Sequence, residues 1–380
     1  MAHAFSLLMP GEILFNRGSV AQLNERAARL GSRALVVHGR NPGRLSDVLD
    51  SLASINVVQT LAIAKEPDLP SLLNAIGQGK ALGIDLVIGI GGGSVMDSAK
   101  VMAAMLPSDT DLMRHLEVVG EGLPLTAHRL PLILVPTTSG TGAEVTRNAV
   151  IDVPEARRKV SLRDSQLLPD LALLDPALTD HCPRHVTLHS GLDAVTQVIE
   201  PYLSSRATVF TDMLCRAAIP LGLRALKQLM ERESENARDD MARVSLFGGL
   251  ALANSGLGVV HGIAGPLGGL CGAPHGAICG ALLPAGIAIN QQYSDSAELT
   301  ARLDQVIGWI AEVFDTYPDT ALADFRRWIV ESGLPGLSAL GVTEAHVVAT
   351  AESAASSSSM KANPVALPVA AVEAVMRQSL

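Results

Sequence analysis

Residues 85–100 read DLVIGIGGGSVMDSAK. The apolar run Leu86–Ile90 leads into Gly91, Gly92, Gly93 and Ser94, and a helical pattern begins near Val95. This is a strand, a tight turn and a helix in sixteen residues. Backbone amides at a helix N-terminus lack intrahelical acceptors, and the helix dipole favours an anion beside them. Glycines let a phosphate approach that backbone closely. Asp97 stands in the first helical turn, placed to accept from amides or a carboxamide. Alone, the triplet is equally well explained as a turn that binds nothing.

The flanking sequence extends the pattern. SRALVVHG (32–39), NVVQTLAI (56–63) and LPLILVPTT (130–138) read as strands. LSDVLDSLASI (45–55), LPSLLNAIGQGKALG (69–83) and VMDSAKVMAAML (95–106) read as helices. Strand and helix in alternation predict a parallel sheet covered on both faces, with nucleotides at the carboxyl ends of the strands. A second loop, PTTSGTGAEVTRNAVI (136–151), also follows an apolar strand. It offers the hydroxyls of Thr137, Thr138, Ser139 and Thr141, with Asn148 and then Lys159 further on. Two such loops at neighbouring strand ends point to a dinucleotide site.

The character changes near residue 180. After HCPRHVTLHSG (181–191) β-branched runs become rare and helical patterns dominate, broken by glycine-rich turns read at 254–258 and 265–276. The expected division is an α/β nucleotide-binding domain over 1–185 and an all-α domain over 186–380. AASSSS (354–359) reads as a cap or connection between helices. His181, His185 and His189 recur every four residues and read as one surface face.

Bulk properties narrow the function. A net charge of −9 and 3% aromatic residues argue against a nucleic-acid partner. Four cysteines without a CxxC pair read as free thiols in a reducing, cytoplasmic setting. The first residues lack the basic and apolar regions of a signal peptide, and no apolar run approaches the roughly 20 residues of a membrane span.

The helical half carries possible ligands. In SGLDAVTQVIEPY (190–202), Asp193 and Gln197 share a helix face, at the spacing where a carboxylate and an imidazole would grip a metal. Here the second residue is glutamine. His261 and His275 each lie in an apolar, glycine-rich stretch, GLGVVHGIAGPLGG (256–269) and GAPHGAICGALLP (272–284). Either histidine alone is equally well a core residue or a helix cap.

Together GGGSVMDSAK, PTTSGTGAEVT, LLPDLALLDPALT, SGLDAVTQVIEPYLSS, GLGVVHGIAGPLGG and APHGAICGALLP, with the late pair Asn363–Pro364, resemble the iron-containing (group III) alcohol dehydrogenases. The resemblance runs in order from about residue 10 to about residue 370. It implies the dehydroquinate synthase-like fold, an N-terminal dinucleotide-binding α/β domain and a C-terminal helical domain, with the active site in the cleft between them. By that resemblance Gly92, Gly93, Ser94 and Asp97 hold the pyrophosphate and nicotinamide region. Thr137, Thr138, Thr141, Asn148 and Lys159 make other cofactor contacts. Asp193, His261 and His275 match three of four metal ligands, Gln197 stands where the remaining histidine is expected, and Gly265 where many members carry a further active-site histidine.

The implied reaction is hydride transfer between a nicotinamide and an alcohol, aldehyde or ketone. A divalent cation assists by acidifying a coordinated hydroxyl; for water the pKa falls from about 15.7 to about 7. One carboxylate and two imidazoles suit iron(II), with zinc second. Gln197 offers a neutral oxygen or orients water, and the expectation is looser metal retention. No side-chain general base is assigned. In HGRNPGR (38–44), Gly39 stands near where many relatives carry an aspartate that repels a 2′-phosphate. Gly39 and Asn41 fall in this cofactor segment, and Arg40 or Arg44 could pair with that phosphate, so NADP is favoured over NAD. The resemblance also implies a homo-oligomer. The competing readings are a metal-free reductase like the maleylacetate reductases, a lyase like dehydroquinate synthase, and a non-catalytic nucleotide binder.

Overall fold

The computed structural model describes residues 5–40, 45–156, 158–355 and 357–380. Asn41 and Arg44 lie outside the described residues. The chain forms two compact units. One comprises Leu8–Thr138 and Gly142–Asp180; the other comprises His181–Leu380 with Ser139–Thr141 and the N-terminal residues to Leu7.

The first unit is α/β. Its strands are β1 (Glu12–Phe15), β2 (Arg33–Gly39), β3 (Asn56–Ile63), β4 (Leu86–Gly91), β5 (Leu132–Pro136), β6 (Asn148–Val153), β7 (Arg158–Arg163) and β8 (Leu171–Leu174). Its helices are α1 (Leu23–Ala28), α2 (Ser46–Asp50), α3 (Leu69–Gly79), α4 (Gly93–Met105) and α5 (Leu112–His115). Six strands form one parallel sheet in the order β1-β8-β5-β4-β2-β3. The predicted strands and covering helices are all present. Leu35, Val37 and Val87 pack with α3 and α4 on one face, while Ala34, Val36, Leu86, Ile88 and Ile90 pack with α1 and α2 on the other. Both faces are covered, so these strands read as continuous apolar runs rather than alternating ones.

From β2 the chain steps outward to β3 and then returns across to β4. The switch point therefore lies between β2 and β4, where doubly wound sheets open a crevice at their carboxyl ends. In register, His38 pairs with Ile90 and Gly91 with Pro136. This sets Gly39, the glycine triplet and Thr137 at adjacent strand ends. Gly89 and Gly91 set the approach of α4: a Cβ would lie 2.7 Å from the Ala99 side chain at the first and 2.5 Å from Val95 at the second. The antiparallel pair β6–β7 stands apart from the main sheet.

The second unit is helical: α6 (Arg184–Leu203), α7 (Val209–Glu231), α8 (Glu235–Ser255), α9 (Val259–Cys271), α10 (His275–Gln292), α11 (Ala297–Phe314), α12 (Ala321–Glu331), α13 (Glu344–Ala354) and α14 (Val369–Gln378). One apolar cluster runs through it. From Gly191 to Leu203 every residue of α6 is buried, the mark of a helix enclosed on all sides. Two expectations need correction. The helical region begins at Arg184, not Gly191, and the segment 265–276 is helical through Cys271, with a turn only at Gly272–Pro274. Two acceptors from elsewhere in the unit secure the first turn of α9, as described below, and so outweigh its glycine content. Among the described residues no single helix is long and apolar enough to cross a membrane.

Candidate metal centre and nucleotide loop

Three turns of α6 present Asp193, Gln197 and Glu200 along one side. All three are buried. Helices α9 and α10 bring histidines to the same place. His261 Nε2 lies 3.3 Å and His275 Nε2 3.8 Å from Asp193 Oδ1. With Cys279 Sγ, these donor atoms all fall within 4.8 Å of one another. The three expected ligands thus converge, and a cysteine that the sequence reading passed over joins them.

Close helix packing makes this possible. A Cβ on Gly276 would lie 2.4 Å from His189 O, and one on Gly280 2.5 Å from the Leu192 side chain. These two glycines let α10 approach α6, carrying His275 and Cys279 to Asp193. On α9, Glu200 accepts from Val260 N at 2.6 Å, and Asn363 accepts from Val259 N at 3.0 Å. A Cβ on Gly258 would lie 2.9 Å from both acceptor oxygens, so the turn before α9 needs glycine. Both caps also fix the position of His261.

The same glutamate sets the tautomer of His261. Glu200 Oε2 lies 2.6 Å from His261 Nδ1 and receives its hydrogen, so Nε2 is the nitrogen that faces Asp193 and would bind a cation in exchange for its proton. A carboxylate behind a ligating imidazole is the usual support of a metal-binding histidine. Gln197 donates through Nε2 to Asp193 Oδ2 at 3.2 Å and to Gly140 O at 3.1 Å. It therefore shows its nitrogen, not its oxygen, to Asp193. Asp193 Oδ1 and Gln197 Oε1 are buried with no hydrogen-bond partner. An unpaired buried carboxylate oxygen is costly, and a cation between it and two imidazoles would offset the cost.

Electrostatics inside the cluster agree. Burial lowers the pKa of both histidines, but the sulfur of Cys279, with Asp193 and for His261 also Glu200, outweighs it. His261 is raised well above its ordinary value, and His275 rises to about 9. Burial raises Asp193, yet the two histidines hold it below the usual carboxylate range. The site is built to share positive charge. Gly265 faces open space, with nothing within 4 Å of the place its Cβ would occupy.

In the α/β unit, Gly92 precedes α4, whose first turn contains Gly93 and Ser94; Asp97, expected in that turn, falls just after it because the helix begins at Gly93 and not near Val95. Thr138 packs over the loop, its Oγ1 3.1 Å from where a Gly92 Cβ would be. Asp97 Oδ2 accepts from Val150 N at 3.1 Å. Asn148 O accepts from Lys100 Nζ at 2.8 Å, so its carbonyl serves the interior of the unit. Lys159 forms an ion pair with Glu66. Thr141 belongs to the helical unit, while Gly39, Thr137 and Thr138 belong to the α/β unit. Lys100 was not anticipated; it is fully buried and also donates to Thr146 Oγ1 at 2.9 Å. A lone lysine in the apolar helix VMDSAKVMAAML was its sequence signal. His181 and His185 are exposed as expected, whereas His189 is half-buried and burial lowers its pKa.

Comparison with known proteins fits this architecture. Residues 10–176 match the family described as iron-containing alcohol dehydrogenase, and residues 187–380 match the C-terminal part of the same family. The chain is 32% identical over 364 residues to the probable alcohol dehydrogenase EutG of Escherichia coli K12, covering 94% of this chain and 90% of that one. It is 30% identical to the 1,3-propanediol dehydrogenase of Klebsiella pneumoniae over 99% of this chain and 98% of that protein. A crystal structure of 1,3-propanediol oxidoreductase superposes with a TM-score of 0.88 at 28% identity, covering 100% of both chains. The chain is thus an oxidoreductase of alcohols or aldehydes and belongs to the iron-containing alcohol dehydrogenase family.

Proposed function

We propose that this enzyme is a nicotinamide-dependent alcohol dehydrogenase or aldehyde reductase whose divalent metal is held by Asp193, His261 and His275. The observation that carries this reading is the unpartnered, buried Asp193 Oδ1 beside two imidazole nitrogens. When bound, the cation polarises a carbonyl or acidifies an alcohol, and the nicotinamide carries the hydride. Glu200 keeps the Nδ1 proton of His261 in place. Gln197 holds Asp193 Oδ2, which leaves Oδ1 for the cation. Iron(II) is the first candidate, from the family, and zinc the second.

The α4 N-terminus would bind the pyrophosphate through Gly92, Gly93 and Ser94, with Asp97, Thr137, Thr138, Thr141, Asn148 and Lys159 as further cofactor contacts. Residues 1–185 would form the nucleotide domain and 186–380 the metal domain. Gly39 at the end of β2 offers no carboxylate against a 2′-phosphate, which supports NADP over NAD. Four free cysteines support a reducing, cytoplasmic setting, and the family supports a homo-oligomer. The donor cluster does not favour the metal-free reading, and the family match favours neither the lyase nor the non-catalytic one.

The test is metal analysis of purified protein with aldehyde reduction measured before and after chelation, using NADPH and NADH in parallel. Bound metal, chelator-sensitive turnover and faster NADPH oxidation are expected. Undiminished turnover in metal-free protein would overturn the metal reading, and a strong NADH preference would overturn the cofactor choice.

A further inference from the structure

Resting on the metal reading above, we infer that Cys279 supplies the fourth protein donor of the centre, taking the place of the imidazole that Gln197 does not provide. Cys279 lies one helical turn after His275 on the same side of α10 and is fully buried. Its Sγ is 3.6 Å from His275 Nε2. A tetrahedral ion with nitrogen and oxygen donors at about 2.0–2.2 Å and sulfur at about 2.3 Å has donor-to-donor edges of about 3.3–3.6 Å. The corresponding edges here are 3.3 Å for His261–Asp193, 3.8 Å for His275–Asp193 and 3.6 Å for Cys279–His275. No pair among the four donors exceeds 4.8 Å. Three of the six edges thus lie close to tetrahedral values, and the other three are within 4.8 Å.

The plain alternative is a buried thiol making a weak contact within its own helix. That alternative leaves a buried sulfur, within 4.8 Å of three other donor atoms, outside a cation that the carboxylate and the imidazoles share, whereas a four-donor centre takes it up. A carboxylate, two imidazoles and a thiolate form a softer set than nitrogen and oxygen donors alone. Thiolate ligation moves relative affinity toward zinc and cobalt and away from magnesium and manganese.

The experiment is a Co2+ titration of chelator-stripped protein, followed by absorption, on the native chain, Cys279→Ser and Asp193→Asn. The native protein is expected to bind one Co2+ with a near-ultraviolet sulfur-to-cobalt charge-transfer band. Cys279→Ser should lose the band and hold the ion at least ~10–100-fold more weakly, the range that even outer-shell changes cost. Asp193→Asn should bind none. Native protein that binds Co2+ with no sulfur band, or a band that survives in Cys279→Ser, would overturn the role of Cys279 and leave the metal reading standing. Native protein that binds no Co2+ at all would overturn both. The native spectrum decides the matter even if a variant fails to fold.

Discussion

Glu200 Oε2 and His261 Nδ1 stand 2.6 Å apart, and the same carboxylate accepts from Val260 N at the start of α9. One side chain thus selects the tautomer of the histidine proposed as a metal ligand and anchors the helix that carries it. Glu200→Gln keeps an acceptor and removes the charge. We expect it to lower metal affinity by ~10–100-fold, with little change in the unfolding temperature of the metal-free protein. Glu200→Ala should lose the same affinity and a further ~1–3 kcal/mol of stability, because buried amide and imidazole hydrogens lose their acceptor. Chelator competition and thermal unfolding separate the two effects. An unchanged metal affinity in Glu200→Gln would rule out its supporting role.

Gln197 donates to Asp193 Oδ2 and Gly140 O and keeps a buried, unpaired Oε1. Gln197→His would offer a nitrogen donor where the chain now presents an amide hydrogen. Retention of iron or zinc during dialysis against a chelator should improve by on the order of tenfold, the scale of a single supporting contact. Equal loss rates in the two proteins would show that position 197 does not face the cation.

Gly265 lies within α9 and has nothing within 4 Å of its missing Cβ. Glycine inside a helix costs about 0.5–1 kcal/mol relative to alanine through backbone entropy. Gly265→Ala should therefore raise stability by about that amount, read as a shift in the urea midpoint. Gly265→His should fold equally well and add a titrating group to the pH profile of turnover. Destabilisation by alanine would mean the space is filled in solution.

Glu144 is buried in the α/β unit, and loss of hydration pushes its pKa up from 4.5 to about 7. The folded chain therefore holds a proton that the unfolded chain releases near pH 4.5. Stability must fall as pH rises from about 4.5 to about 7, by up to about 3 kcal/mol. Buried Lys100 acts in the opposite sense. Its pKa falls from 10.5 to about 8, again chiefly through burial, so the unfolded chain binds more protons between those values and stability rises there. Glu144→Gln should abolish the lower limb and leave the upper one. Urea midpoints across the pH range test this. Parallel curves for the two proteins would contradict it.

The strands β2, β4 and β5 were legible because burial on both faces leaves a continuous apolar run. The four-residue β8 was not, since LALL sits inside a stretch recognisable only as a family motif. The pair β6–β7 carries arginine, lysine and aspartate among its apolar residues, and this hides its alternation. The first half of 265–276 reads as a turn because the segment holds five glycines, while the caps that make it helical come from Glu200 and Asn363, which are distant in sequence. Asp193, His261 and His275, which the structure brings together, stand out in the sequence through their motifs. Glu200 and Cys279 stood in the same motifs, seven residues after Asp193 and four after His275, and helical spacing alone would have placed them on the shared faces.

Gly276 is where this packing is least forgiving. A Cβ there would sit 2.4 Å from His189 O and 2.9 Å from its carbonyl carbon, so the obstruction is backbone. At Gly280 the obstruction is the Leu192 and Leu334 side chains, which have rotamers to yield. Gly276→Ala should push α10 off α6, cost about 1–3 kcal/mol and draw His275 and Cys279 away from Asp193. Metal affinity should then drop at least tenfold, by roughly the cost of a lost supporting contact. Gly280→Ala should cost less in both respects. Unfolding midpoints and zinc affinities of the two variants, measured side by side, give the ranking. If Gly280→Ala proved the more damaging to metal affinity, side-chain packing against Leu192, and not backbone approach at His189, would set the position of the α10 ligands.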